Sequence, residues 1–181
     1  MKFILATLVT ITTLLHAAED PLRVKDAATI KRELTKDVGP VLIPKGADPK
    51  SARIIKREAE RKARQISLPA IRFAFNKVTL ADAESERQFA ELGKALNEGE
   101  LKDAKFTLEG HTCDIGQDAD NLDLSRRRAA ELKRRLTTEH SISESRITFE
   151  GKGESSPEVA NDSEAHRAQN RRVVVIREPA S

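Results

Sequence analysis

Between residues 69 and 178 the chain alternates two-residue and helical periodicities, and this alternation limits the fold more than any other feature. In IRFAF (71–75), Ile71, Phe73 and Phe75 share one face of an expected strand. Thr79 and Asp82 offer a capping-box-like start to a helix in which Phe89, Leu92 and Leu96 recur at helical spacing until Gly99. A second strand is expected in KFTLEGHT (105–112), and the Asp and Gly residues from 114 to 120 then break the period. A helix is predicted from about residue 124 to 138, with Ala129, Leu132 and Leu136 as its apolar stripe. RITFEGKGE (146–154) and RRVVVIRE (171–178) read as further strands, with EAHRAQN (164–170) as a short helix between them.

Strands interleaved with helices bury their apolar faces in a layered α/β arrangement. The expectation is a single mixed sheet of about four strands in βαβαβ(α)β order, with the helices packed on one face and right-handed crossovers between parallel neighbours. No internal repeat is present.

Upstream, residues 19–66 are rich in charge and predict a spacer, partly helical or disordered, with short helices at 27–35 and 51–64 around VGPVLIPKGADPK. Val38, Val41, Leu42 and Ile43 are too few to form a core there. Trp and Tyr are absent, and five of the six Phe residues lie between Phe73 and Phe149. The core is therefore expected within residues 67–181. Met1-Lys2 followed by an apolar run from Phe3 to Leu15 reads as a secretory leader over residues 1–18. That run falls short of the about 20 residues of a membrane-spanning helix.

Thirty-two Lys and Arg stand against 29 Asp and Glu, a near balance that creates no single basic field, so nucleic acid is not implied as a partner. Cys113 is the one cysteine, so no internal disulfide forms and packing must supply the stability.

The segment from Gly110 to Ala129, GHTCDIGQDADNLDLSRRRA, joins a strand to a helix through a polar loop and sets an arginine at a fixed distance, the layout of a small-ligand site. Phe75-Asn76 ends the first strand, and Gly110-His111-Thr112-Cys113 precedes Gly116 and Asn121. Leu124-Ser125 with Arg128-Ala129, then Gly151, Gly153, Pro157 and Asn161, and finally Asn170-Arg171-Arg172-Val173 complete the series. In order and spacing, over about residues 69–178, this series resembles the OmpA-like peptidoglycan-binding domain of bacterial envelopes.

The resemblance implies a non-catalytic module that needs no cofactor and grips the peptidoglycan stem peptide through diaminopimelate. Its location would be the periplasm, in association with the outer membrane. Arg128 occupies the family's arginine position, and a guanidinium fork suits a carboxylate. The family's Asp falls on Cys113, and Asp114, one residue later, is expected to swing into the loop mouth as the substitute acid. Thr112 and Cys113 complete the turn. Asn121 is either a ligand contact or a loop residue bonding the backbone, and Asn76 either lines the mouth or serves a turn or cap. Arg171 and Arg172 alternate across a strand, and bracing is expected of them.

His111 reads as a buried histidine, since His16, His140 and His166 show no metal-ligand spacing with it. His111 and Cys113 lie two apart on a strand without a glycine-rich oxyanion element, which argues against a thiol hydrolase. The alternative is an envelope scaffold that keeps the fold, has lost the ligand with its Asp, and meets a protein partner through residues 19–66.

Overall fold

The computed structural model describes residue 20 and residues 22–179. The leader expected at 1–18 lies outside the described residues. The elements run α1 (Ala27–Leu34), α2 (Pro49–Ala63), β1 (Gln65–Leu68), α3 (Ala83–Leu96), β2 (Phe106–His111), α4 (Asp118–His140), β3 (Ile147–Gly153), α5 (Glu164–Asn170) and β4 (Val173–Arg177).

One four-stranded mixed sheet has the order β1-β4-β2-β3. β4, last in the chain, inserts antiparallel between β1 and β2, and β2 pairs parallel with β3. Val173–Ile176 is a run of β-branched residues buried on both faces, which suits an interior strand and no edge. Toward the helices point Ile66, Leu68, Phe106, Leu108, Ile147, Val173 and Val175. They meet Phe89, Leu92 and Leu96 of α3 and Ala129, Leu132 and Leu136 of α4 in one core.

α3 begins where Asp82 caps Ser85 N at 2.9 Å. α4 starts at Asp118, earlier than its apolar stripe suggests, because Asp118 and Asp120 in the first turn favour the positive end of the helix dipole. α4 lies so close to β2 that a Cβ at Gly110 would sit 2.2 Å from the Ser125 carbonyl oxygen.

Two expectations are corrected. The first strand is not at 71–75: Gln65–Leu68 pairs with β4, while the later stretch keeps a single bridge between Phe73 and Leu80. Ile71 is buried but Phe75 is 96% exposed, so the apparent alternation does not describe one buried face. The core also extends into the segment read as a spacer, because Ala27, Ile30 and Leu34 of α1 are buried in it. Gln88 of α3 receives the Lys25 N–H at 2.7 Å and donates to the Lys25 carbonyl at 2.9 Å, and Glu91 receives the Ala27 N–H at 2.7 Å. α2, in contrast, buries none of its residues.

Candidate functional site

The site is assembled at the end of β2, where three chain segments meet. Arg128 projects from α4, is only 7% exposed, and places its guanidinium 4.8 Å from the centre of the Phe73 ring. Its Nε–H donates to the Lys77 carbonyl at 3.1 Å and its terminal nitrogen to the Ala74 carbonyl at 3.4 Å. No carboxylate among the described residues pairs with it. Burial, then the like charges of Arg171 and Arg127, push its pKa down to about 10, with the Cys113 thiol opposing. It still carries its charge at neutral pH, so the site presents a buried cation without an internal counter-ion.

The turn that receives Arg128 depends on Asn76, which adopts a left-handed φ of 53° while the Lys77 N–H closes on the Ala74 carbonyl at 2.9 Å. Asn is one of the few residues with a side chain that takes this conformation readily. Its side chain is exposed, so the turn role is the one the geometry displays.

Across the mouth, the loop from Thr112 to Gln117 is tied down at both ends. The Thr112 N–H donates to the Gly153 carbonyl at 2.9 Å, and its buried hydroxyl has no partner. Gly116 turns the chain at φ 113°. Asn121 directs its amide at the Cys113 carbonyl (3.3 Å), the Ile115 carbonyl (3.1 Å) and the Glu154 carboxylate (2.6 Å). It therefore acts as the backbone-bonding strut of the loop. Ser125 locks the base by accepting the Gly153 N–H at 2.9 Å.

Cys113 is buried, and its Sγ receives a hydrogen bond from Arg171 at 3.5 Å. Arg171 is held from its other side by Glu164 at 2.5 Å. The thiol thus stands between two arginines, at the place where the sequence pattern calls for an acid. Asp114 is exposed and makes no hydrogen bond or ion pair with the described residues. Arg172 faces the other side of the sheet, where Glu158 lies 2.7 Å from its Nε.

Sequence reasoning assigned Arg171 a bracing role and overlooked Glu154. The signal for Arg171 was present in its adjacency to Arg172, since consecutive strand-end residues face opposite sides. Glu154 had none, because most of α4 and all of β3 separate it from Asn121 in the chain. Asn170 holds the segment after β3: its amide donates to Val159 O and Asn161 Oδ1, each at 2.8 Å, and its Oδ1 accepts the Glu158 N–H at 2.8 Å. No cluster of three or more His, Cys, Asp or Glu able to hold a metal occurs among the described residues.

Comparison with known proteins gives the kinship of the chain. The outer membrane porin F of Pseudomonas fluorescens is 52% identical over 66 residues, 36% of this chain and 20% of the porin. The outer membrane protein A of Bordetella avium is 34% identical over 111 residues, 59% of this chain and 57% of that protein. The chain thus spans a fifth to little more than half of these relatives. Among solved structures, a putative MotB-like protein from Desulfovibrio vulgaris superposes with a TM-score of 0.55 at 28% identity, covering 65% of this chain and 74% of that one. The OmpA family model matches residues 72–171, more than half of the sequence, and the chain belongs to the OmpA family.

Proposed function

We propose that this protein is a non-catalytic periplasmic module that binds peptidoglycan through the diaminopimelate of its stem peptide and so links the envelope to the cell wall. The observation that carries the reading is the buried Arg128 guanidinium, which has carbonyl acceptors but no carboxylate of its own. Burying a cation unpaired is costly, and an incoming carboxylate removes that cost with charge-assisted hydrogen bonds. The free end of diaminopimelate carries such a carboxylate beside an ammonium. Asp114, on the same loop and without an internal partner, receives the ammonium. Association with the outer membrane follows from the same reading and from kinship with outer membrane proteins.

Co-sedimentation tests this directly. The purified protein pellets with diaminopimelate-type sacculi, and the Arg128→Ala variant, shown folded by circular dichroism, stays in the supernatant. Equal pelleting of both proteins removes Arg128 from the site.

A second reading is favoured by Cys113. Where the thiol replaces the acid, the module keeps its fold as an envelope scaffold, with the charged segment before β1 meeting a protein partner. No binding of a diaminopimelate-containing peptide at millimolar concentration, with binding gained in Cys113→Asp, selects this version.

A further inference from the structure

Behind the sheet, on the face turned away from Arg128, lies a cavity of about 780 Å³, within the range of small-molecule sites. Its wall includes Arg61, Ser67, Glu109, His111, Lys152 and Arg172, over a floor of Val174 and Ile176. The pleat separates it from the mouth above: Phe106, Leu108 and Gly110 of β2 face the helices, whereas Thr107, Glu109 and His111 face this cavity.

His111 is 5% exposed, and neither ring nitrogen has a hydrogen-bond partner. The nearest carboxylate oxygen, of Glu109, lies 3.8 Å from Nε2, beyond hydrogen-bonding reach. Burial pushes the imidazole pKa down, so the ring is neutral and presents one N–H donor and one lone-pair acceptor. A buried polar ring without partners is rare in a native interior and marks a place where a partner binds.

The charges around it are paired internally, although Arg172 Nε makes no hydrogen bond of its own within its ion pair. Glu109 meets Arg61 at 2.6 Å and Lys152 at 3.2 Å, Lys152 also meets Glu150 at 2.6 Å, and Arg172 lies 2.7 Å from Glu158. A charged ligand would have to break one of these pairs. A hydroxyl group, which donates and accepts at once, matches neutral imidazole without doing so. Lys152 can swing away from Glu109 without leaving a charge unpaired, since it keeps Glu150 while Glu109 keeps Arg61. Val174 and Ile176, both buried, give the apolar floor that the C–H face of a sugar ring needs.

We infer that this cavity is a second binding site, for an uncharged polyhydroxylated chain of the carbohydrate class, with His111 as its central hydrogen-bonding residue. It lies on the opposite face from the Arg128 clamp and does not depend on that assignment.

The test is a titration of the full-length protein with chitotetraose, with maltotetraose as an oligosaccharide lacking acetamido groups and inorganic phosphate as an anion, followed by ¹⁵N–¹H NMR. Saturable shifts at Ser67, Thr107, His111 and Lys152 with either sugar are expected. Chitotetraose alone saturating assigns the site to N-acetylated glycans, and both saturating assigns it to oligosaccharides generally. His111→Phe weakens binding by about tenfold or more, the loss of a buried hydrogen bond. Ser67→Trp, which fills the cavity from its rim, abolishes it and guards against a His111 variant that merely fails to fold. No saturation with either sugar, unchanged affinity in Ser67→Trp, or tighter binding of phosphate than of both sugars overturns the proposal.

Discussion

Arg171 donates a hydrogen bond to the Cys113 sulfur at 3.5 Å, and through it the loop after β2 is joined to the segment that enters β4. The same thiol counters the charge on Arg128, which Arg171 repels. A thiol therefore stands where two guanidiniums act, at the position where the family resemblance implies a carboxylate.

With a thiol at 113, Asp114 is the acid this loop offers, so Asp114→Asn should weaken binding of a diaminopimelate-containing peptide by about ten- to hundred-fold, the equivalent of about 1.5 to 3 kcal/mol for a charge-assisted hydrogen bond. Isothermal titration calorimetry measures it. Affinity unchanged in the variant would remove Asp114 from the site.

Arg128 also holds the Ala74–Lys77 turn through two carbonyls. In Arg128→Met the core is expected to stay folded while the Lys77 amide, bonded to Ala74, exchanges with solvent faster. Native-state hydrogen exchange reports it, and an unaltered Lys77 rate would show that Asn76 sets the turn alone.

Gly110→Ala places a methyl group 2.2 Å from the Ser125 carbonyl oxygen, a backbone atom that cannot step aside. A destabilisation of about 3 kcal/mol is expected in urea unfolding, at the upper end of overpacking effects. A loss below about 1 kcal/mol would show that α4 slides away easily.

Leu34→Ala tests whether α1 is part of the folded unit. Leu34 is fully buried against the core, so the variant should lose about 2 to 5 kcal/mol in a single cooperative transition. No loss, or a separate transition, would return α1 to the spacer.

Acid should destabilise the sheet in two steps. Burial alone would raise the Glu109 pKa, but the Arg61 and Lys152 cations, with His111 nearby, hold it down at about 2 against an ordinary 4.5. At 3.8 Å the imidazole is outside hydrogen-bonding distance, so the two cations carry the effect. The stability this lends is complete above pH 4.5, reaches about 3 kcal/mol at most, and is lost as pH falls toward 2. Burial lowers the His111 pKa below 6.5, so the unfolded chain takes up that proton first and stability already declines as pH drops through 6.5. Urea midpoints compared at about pH 8, 5.5 and 3.5 should fall in that order, and Glu109→Gln should flatten the lower step. A midpoint independent of pH would contradict both shifts.

Much of the framework was legible in the chain. The short helix Glu164–Asn170 and the strands over 106–111, 147–153 and 173–177 fall within their expected stretches, because each carries its period in its own residues. β1 was not legible: Gln65–Leu68 offers only two inward residues, Ile66 and Leu68, directly after a run of charge and before Pro69. The helices expected at 27–35 and 51–64 are present as α1 and α2, but the burial of Ala27, Ile30 and Leu34 was not legible, because no aromatic residue marks that stretch as core.

At the site, the sequence by itself determined the order and spacing that bring Gly110, Asn121, Ser125 and Arg128 into one strand-loop-helix unit, since a helix and a strand of given length carry their side chains to set positions. Only the tertiary structure decided what those side chains meet. Arg128 found the carbonyls of a turn more than 50 residues earlier, Cys113 met an arginine 58 residues later, and His111 was buried on the far face without a hydrogen-bond partner. These pairings depend on the antiparallel insertion of β4 between β1 and β2, a long-range register that no local periodicity encodes.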